Sequence, residues 1–336
     1  MHRRYNKYKI FAVIVVFVTA VVGCCIYSHR VASLTSLQKE VYNYLCLNSY
    51  VGSKNWKKYQ YNPIIKFEGT AADPCVVWVE NGYVIFFWHR DSKGMFTIKR
   101  AESKNGLEWE NFENVLLQGR QNEWDSISVV SPSVVIYNGI WYMWYHSGKY
   151  PHYQIGLATS KDGVYFEKYR NNPVLKPGLM GCWDSLAVNA PEVIVIDGLF
   201  YMYYSGYGYL KKSIGLAISR DGITWKKFPG NPILNPEERW EGNRLQSPTI
   251  LKHGETLYMW YTGTNRVRRI GIAVSKDGLN WYKCPTNPVI EPSQKWEKLR
   301  NGGMAVMEEK DRIIMWYHGD NDACFKIGVM FLEKNP

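Results

Sequence analysis

From about residue 70 onward the chain is a succession of short apolar runs, rich in β-branched and aromatic residues and broken by Asn-Gly and Asp-Gly pairs. Such runs read as strands, and such pairs as hairpin turns. One unit can be followed in full. Residues 132–137 read as an innermost strand, and residues 141–146, after the Asn138-Gly139 turn, as the second. Residues 154–160 read as the third, and Asp162-Gly163 turns the chain into an outer strand bearing Phe166. The second-strand pattern returns at residues 84–89, 200–204, 257–261 and 313–318, which predicts five units.

The units are near copies. Ile155-Gly-Leu-Ala-Thr-Ser-Lys-Asp-Gly163 returns as Ile214-Gly-Leu-Ala-Ile-Ser-Arg-Asp-Gly222 and as Ile270-Gly-Ile-Ala-Val-Ser-Lys-Asp-Gly278, with a weaker copy over residues 103–109. Phe166, Trp225 and Trp281 follow three residues after each glycine, and Asn172-Pro173, Asn231-Pro232 and Asn287-Pro288 come next. From Asn105 through Asp162 and Asp221 to Asp277 the intervals are 57, 59 and 56 residues. Four short strands at such a period predict a propeller blade, so the fold class expected is all-β, a five-bladed β-propeller. The last unit stops without an outer strand, while residues 56–65 match residues 225–234. The early segment is therefore expected to complete the last blade and close the ring over residues 56–336.

The first part of the chain breaks this pattern. Residues 10–27 are apolar apart from Thr19 and Gly23, and Arg3, Arg4, Lys7 and Lys9 precede them. That run is near the lower length limit for a membrane-spanning helix, and its flanking charge would keep the amino terminus cytoplasmic. The expectation is an N-terminal membrane anchor over residues 1–27, with the transmembrane helix at residues 10–27, tethering a propeller on the extracytoplasmic side, periplasmic or extracellular. A lipoprotein cleaved before Cys24 is the alternative, and the apolar Cys25-Ile26-Tyr27 argues for an uncleaved anchor. Residues 28–55, with Val31, Leu34, Leu37, Val41, Tyr44 and Leu45 at helical spacing, read as a short helical stalk.

Composition changes the picture at three points. Aromatic residues make up 15%, with 14 Trp and 25 Tyr, which suits strands and sugar-stacking surfaces alike. The net charge of +11 is spread without a basic run beyond the anchor, so no nucleic acid is expected as partner. The seven cysteines are odd in number, widely spaced and without a Cys-x-x-Cys pair. They read as buried thiols, and neither a disulfide framework nor a metal site nor any cofactor is expected.

Residues that recur in every unit build the blade. This assigns Asp125, Asp184, Glu241 and Glu297, each after a tryptophan, to structure, and the aspartates of the Ser-x-Asp-Gly hairpins with them. Chemistry belongs where the repeats disagree on the axis-facing ends of the strands. Before the innermost-strand proline stand Asp73, Ser131, Ala190 and Ser247, with Gly303 in the fifth unit. Two residues on stand Cys75, Ser133, Glu192, Thr249 and Ala305. Asp73 and Glu192 are the singular acids, a candidate pair for glycosidic chemistry, which commonly uses one ionised and one protonated carboxyl. Around them His89, Arg90, His146, Asn189, Arg244, Gln246, Arg300, Asn301, His318 and Asp320 are the candidate substrate-binding residues. The implied partner is a carbohydrate, held by stacking and hydrogen bonds, with Arg244, Arg266 and Arg300 able to hold a carboxylate or phosphate.

The Ser-x-Asp-Gly-x-x-Trp and Asn-Pro units, together with Ala72-Asp73-Pro74, resemble the five-bladed propeller glycoside hydrolases, a group including families 32, 43, 62, 68, 117 and 130. In family 43 such an Asp-Pro in the first blade supplies the general base, so the resemblance implies that role for Asp73. Ala190-Pro191-Glu192-Val193 is similar to the Ala-Pro-Asp-Val wall motif of that family. The chain departs from family 43 at Ala190-Pro191 and Gln246-Ser247-Pro248, where two further acids would stand, and from family 32 at Ser131 and Asn189. With the anchor and the singular Glu192, the leading expectation is an extracytoplasmic glycosidase with Asp73 as base or nucleophile and Glu192 as candidate acid. Two alternatives stay open: a non-catalytic glycan-binding propeller, or a phosphorylase similar to family 130, where one acid suffices and arginines hold phosphate.

Overall fold

A computed structural model describes residues 36–80, 82–321 and 324–334. Lys57–Lys58 is strand β1. Blade 1 then comprises β2 (Thr70–Val79), β3 (Gly82–Arg90), β4 (Phe96–Ser103) and β5 (Glu110–Leu117). Blade 2 is β6 (Val130–Tyr137), β7 (Ile140–Lys149), β8 (His152–Ser160) and β9 (Glu167–Lys168). Blade 3 is β10 (Ala187–Ile196), β11 (Leu199–Tyr207), β12 (Lys212–Ser219) and β13 (Lys226–Lys227). Blade 4 is β14 (Leu245–His253), β15 (Thr256–Asn265), β16 (Val267–Ser275) and β17 (Tyr282–Lys283). Blade 5 is β18 (Arg300–Glu308), β19 (Arg312–Asp320) and β20 (Lys326–Glu333), and β1 pairs antiparallel with β20 as its outer strand. Each blade is an antiparallel meander, and the innermost strands β2, β6, β10, β14 and β18 surround the axis.

The repeated residues do structural work that can be named bond by bond. The β6–β7 turn has Asn138 at φ +50° and Gly139 at φ +74°, the left-handed pair a tight hairpin requires. In each Ser-x-Asp-Gly hairpin the serine hydroxyl accepts the glycine N–H, as Ser160 does from Gly163 at 3.0 Å, while Asp162 Oδ1 accepts from Val164 at 2.8 Å and Tyr165 at 2.9 Å. The asparagine of each Asn-Pro pair bridges both backbone groups of a third-strand residue: Asn231 accepts from Leu216 N–H at 2.8 Å and donates to its carbonyl at 2.8 Å. Asp125, Asp184 and Glu241 are buried and paired with Lys168, Lys227 and Lys283 at 2.7, 2.6 and 2.7 Å, and Glu297 is paired with Lys58. Each pair ties a loop at the top of the blade to its outer strand. The cores between blades are filled by rings such as Trp144, Trp260 and Trp316, all fully buried.

Two expectations are corrected. The fold class included a transmembrane helix over residues 10–27. Among the described residues no helix is long and apolar enough to cross a membrane, and residues 10–27 lie outside the described residues. The α-helix that is described, α1 (Ser36–Asn48), has 13 residues, about 20 Å by its rise, and is shorter than a bilayer core. The cysteines were expected to be free thiols. Cys46 on α1 and Cys284 beside β17 form a disulfide across 238 residues of sequence, with Cα atoms 5.5 Å apart. The helix returns against the outer strand of blade 4, where Tyr42 stacks on Tyr282 at 5.7 Å and Asn43 accepts the Tyr282 hydroxyl at 2.8 Å. Spacing along the chain carries no trace of that return.

Candidate active site

Every innermost strand carries the same irregularity. The register with its second strand slips between Ala72 and Cys75, Val130 and Ser133, Asn189 and Glu192, Gln246 and Thr249, and Gly302 and Ala305. At each slip one residue adopts a left-handed backbone: Asp73, Ser131, Ala190, Ser247 and Gly303, with φ between +46° and +50°. Bulges of this kind re-aim a side chain out of the pleat. These five residues and the residues that follow them line one axial cavity, which Glu192 also faces. In blades 1, 3 and 4 the N–H of the bulged residue reaches a side chain of the preceding blade. Ala190 donates to His146 Nδ1 at 3.3 Å and Ser247 to Ser205 Oγ at 3.0 Å, while the N–H of Asp73 lies 3.3 Å from His318 Nδ1.

Asp73 is the one carboxylate of the ring. Its Oδ1 lies 2.9 Å from His318 Nδ1, and its Oδ2 accepts Trp88 Nε1–H at 2.9 Å and the Ser131 hydroxyl. Arg268 Nη1 points at His318 Nε2 from 3.3 Å, which leaves the proton of a neutral ring on Nδ1, facing Asp73. Burial alone would raise the Asp73 carboxyl. The hydrogen bonds from His318, Ser131 and Trp88 outweigh burial and hold it well below the ordinary carboxylate range. Gly303 makes this arrangement possible: a Cβ there would lie 2.0 Å from Asp73 Oδ1 and 2.5 Å from His318 Nδ1.

Glu192 is one layer deeper. Its Oε1 accepts Thr249 Oγ1–H at 3.0 Å and Ile250 N–H at 3.1 Å, and burial pushes its carboxyl up to about 7. His146, its Nδ1 occupied by Ala190, is pushed down to about 4, chiefly by burial.

The rim around the ring is polarised. Register places Phe96, Tyr153, Lys212, Arg268 and Phe325 at equivalent positions, each two residues before an isoleucine of the third strand. Blades 5, 1 and 2 thus offer rings there, and blades 3 and 4 offer cations. Phe325 packs on His318 at 4.7 Å, Phe96 on Trp88 at 5.8 Å, and Tyr153 on His146 at 5.1 Å. On the other side Lys212 Nζ sits 3.6 Å above the Tyr207 ring, and β12 and β16 bring Lys212 beside Arg244 and Arg268 beside Arg300. Burial first, then Arg244 and Arg268, push Lys212 down to about 8. Arg268 Nε is buried with no hydrogen-bond partner, and among the described residues no carboxylate pairs with Lys212, Arg244 or Arg268.

The other expected site residues fall in different places. Asn189 and Gln246 flank the ring and both donate to the Tyr207 hydroxyl, at 3.1 and 2.6 Å. Arg300 lies 3.5 Å from the buried Asp320 at the mouth, and Arg244 is exposed beside Lys212. Arg90 covers the Phe96 ring. His89 stands one residue out of phase with Trp88, its Nε2 2.9 Å from the Glu68 carbonyl, inside the blade. Asn301 is likewise out of phase. It occupies the position held by Ala71, Val129, Val188 and Leu245 in the other blades and is fully buried. Arg266 stands in the outer β15–β16 turn, beside Arg239 and Trp240. Arg268 and Lys212 were not among the expected residues, although the repeat itself marks their position. Among the described residues no group of three or more His, Cys, Asp or Glu could hold a metal ion.

Comparison with known proteins gives this geometry a family. The sequence profile of glycoside hydrolase family 130, described as β-1,4-mannooligosaccharide phosphorylase, matches residues 142–335. The chain belongs to glycoside hydrolase family 130. It is a carbohydrate-active enzyme with the five-bladed propeller fold. A 1,2-β-oligomannan phosphorylase from Thermoanaerobacter sp. (strain X514) is 27% identical over 239 residues, 65% of this chain and 74% of that protein. A β-1,2-mannobiose phosphorylase from the same organism is 27% identical over 245 residues, with the same coverage. Solved structures share the fold. A thermostable family-43 glycoside hydrolase superposes with a TM-score of 0.64 at 22% identity, over 82% of this chain and 96% of that one. A structure reported with family-130 glycoside hydrolases that target β-1,2 mannosidic linkages in Candida mannan superposes with a TM-score of 0.69 at 15% identity, over 84% and 96%.

Proposed function

We propose that this family-130 enzyme cleaves a β-mannoside by phosphorolysis, with Asp73 as the acid and the cations of blades 3 and 4 holding phosphate. The observation that carries this reading is the polarised rim. A neutral sugar stacks on rings, as on the blade 5, 1 and 2 side, and has no use for Lys212, Arg244 and Arg268, with which no carboxylate among the described residues forms an ion pair. An oxyanion does, and the bare Arg268 Nε–H is a donor awaiting one. Phosphate as nucleophile also removes the need for a second carboxylate, in keeping with Ala190 and Ser247 on the ring. In the step itself a phosphate oxygen bonds to the anomeric carbon as the glycosidic C–O bond breaks. The departing oxygen takes a proton from Asp73, and the phosphate releases its own proton to solvent. The relatives' mannoside names supply the sugar of the proposal.

A second reading, hydrolysis, is favoured by the Cys46–Cys284 bond. Disulfides persist in oxidising compartments, so the bond supports an extracytoplasmic enzyme, where a sugar phosphate is of less use than a free sugar. Water would then be the nucleophile, with ionised Asp73 as base and Glu192 as acid. One experiment separates the two. β-1,2- and β-1,4-mannobiose are incubated with and without millimolar phosphate and the products resolved by chromatography. Phosphorolysis gives mannose 1-phosphate and mannose only when phosphate is present. Mannose alone, at a rate indifferent to phosphate, would establish hydrolysis and overturn the leading reading.

A further inference from the structure

We propose that Glu192 is the proton reservoir of the site, reloading Asp73 through water in the axial cavity and through the Ser131 hydroxyl. The inference rests on the reading of Asp73 as the acid, and it answers a difficulty that reading creates. Asp73 is held ionised in the free site by His318, Ser131 and Trp88, so the proton it gives the leaving group must come from elsewhere.

Three observations converge on Glu192. Asp73, Ser131, Ser247 and Glu192 face one cavity of about 30 Å³, room for one water or two and too small for a sugar ring. Ser131 donates its hydroxyl to Asp73 Oδ2, so a proton arriving at Ser131 Oγ passes directly to the carboxylate. The third observation separates chemistry from structure. At the position equivalent to Glu192, Cys75 Sγ accepts Val134 N–H at 3.2 Å and Ser133 Oγ accepts Val193 N–H at 2.9 Å, as Glu192 Oε1 accepts Ile250 N–H. A hydroxyl or thiol therefore suffices to tie one blade to the next. The carboxyl at 192 exceeds what the tie requires: the bonds to Thr249 and Ile250 both fall on Oε1, Oε2 takes part in neither, and Glu192 lines the cavity.

The groups around Glu192 leave this route clear. From β2 come Asp73 and the Cys75 thiol, the latter pushed up to about 12 by burial and then by Glu192, and so never charged at working pH. From β7 comes His146, neutral and bonded to Ala190. Strands β6, β14 and β18 present Ser131, Ser133, Ser247, Thr249, Gly303 and Met304, none of which carries charge. Among the residues lining the cavity only Asp73 and Glu192 are ionisable. In concert with protonation of the departing glycosidic oxygen, which draws the proton off Asp73 as it arrives, one proton leaves Glu192 for the water, one leaves the water for Ser131, and one leaves Ser131 for Asp73. Glu192 ends ionised and is reprotonated from solvent by the proton that phosphate releases.

The test is Glu192→Ser, which keeps an inter-blade acceptor of the kind Ser133 already provides but holds no proton to give. The melting temperature should stay near that of the wild type and KM should be unchanged. The turnover number should fall about 10²-fold, within the range general acid catalysis contributes. The wild-type profile should lose activity as pH rises through about 7, the value to which burial brings Glu192, and the variant should lack that limb. A Glu192→Ser enzyme with wild-type turnover and an intact limb overturns the proposal. If that variant does not fold, Glu192→Gln, which keeps Oε1 as acceptor, is measured in the same way. If neither folds, Glu192 is a strut and the proposal falls. Asp73→Asn separates the two levels: full activity in that variant removes the reading of Asp73, whereas an inactive Asp73→Asn beside a normal Glu192→Ser removes the reservoir alone.

Discussion

Gly303→Ala is the sharpest test of the site, because it adds one methyl group at the point where two blades meet around Asp73. The new Cβ would lie 2.0 Å from Asp73 Oδ1, 2.5 Å from His318 Nδ1 and 2.7 Å from His318 Cε1, where ordinary contact begins at 3.4 Å. Neither neighbour can yield freely: the Asp73 carboxylate is held by Trp88 and Ser131, and the His318 ring is fixed between Phe325 and Arg268. The backbone itself tolerates a side chain, since Asp73, Ser131, Ala190 and Ser247 hold the same φ near +50°. The left-handed conformation then costs about 1–2 kcal/mol, and losing the charge-assisted Asp73–His318 bond about as much again. The melt should shift modestly and the propeller should remain folded. Turnover should fall about 10²-fold or more, as for a displacement of 1 Å at a reacting group. The assay is initial-rate release of mannose or mannose 1-phosphate from mannobiose, with circular dichroism as the control for folding. Wild-type turnover in a folded Gly303→Ala protein would refute the claim that the Asp73–His318 contact organises the chemistry.

Three further outcomes follow from the same geometry. Arg268→Ala should raise the phosphate KM at least tenfold while leaving the KM for the glycan nearly unchanged, read from initial rates with each substrate varied in turn. His146 titrates near 4 in the folded chain against 6.5 unfolded, so the unfolded chain binds the extra proton between those values. Its contribution to stability is complete above pH 6.5 and is lost as pH falls towards 4, and chemical denaturation of His146→Gln should show a flatter pH dependence across that window. Asp184→Ala should cost about 3 kcal/mol in urea melts, because the Lys227 ammonium and the Tyr204 hydroxyl both lose their partner.

How much of this was readable from the sequence depends on whether the signal was periodic. The blades, their turns and the structural acids recur at a fixed interval, so each copy corroborates the others. The axial position of Asp73 was legible for the opposite reason, as the one acid among five equivalent positions. The phase of the rim was harder. A bulge adds a residue to one strand, so counting by twos from a strand end goes astray by one. Asn301 illustrates this, buried in the blade beside a ring position, whereas His89 is turned into the blade by the plain alternation of β3 next to Trp88. Arg268 and Lys212 were accessible in principle, since the residue two before Ile98, Ile155, Ile214, Ile270 and Ile327 reads Phe, Tyr, Lys, Arg, Phe. That column gains meaning only once β12 and β16 are seen to begin at the mouth. The Cys46–Cys284 bond had no such column, because the fold of the arm against blade 4 happens once.

The bulged ring explains why a repeat protein can hold a singular chemistry. A non-glycine residue at φ near +50° costs on the order of 1 kcal/mol, and here Asp73, Ser131, Ala190 and Ser247 all bear it. A strain repeated in every blade belongs to the scaffold: in blades 3 and 4 it aims the N–H of the bulged residue at His146 and Ser205 of the preceding blade, locking neighbours together at the axis. The scaffold uses only the backbone there, so the side chain is free to vary, and it does vary, through Asp, Ser, Ala, Ser and Gly. Within that freedom the carboxylate stands in blade 1 and the glycine in blade 5, adjacent across the closure of the ring, and each is needed by the other. Asp73 can meet His318 only because Gly303 has no Cβ. The two residues form a structural pair that no single repeat encodes, set where the first blade meets the last.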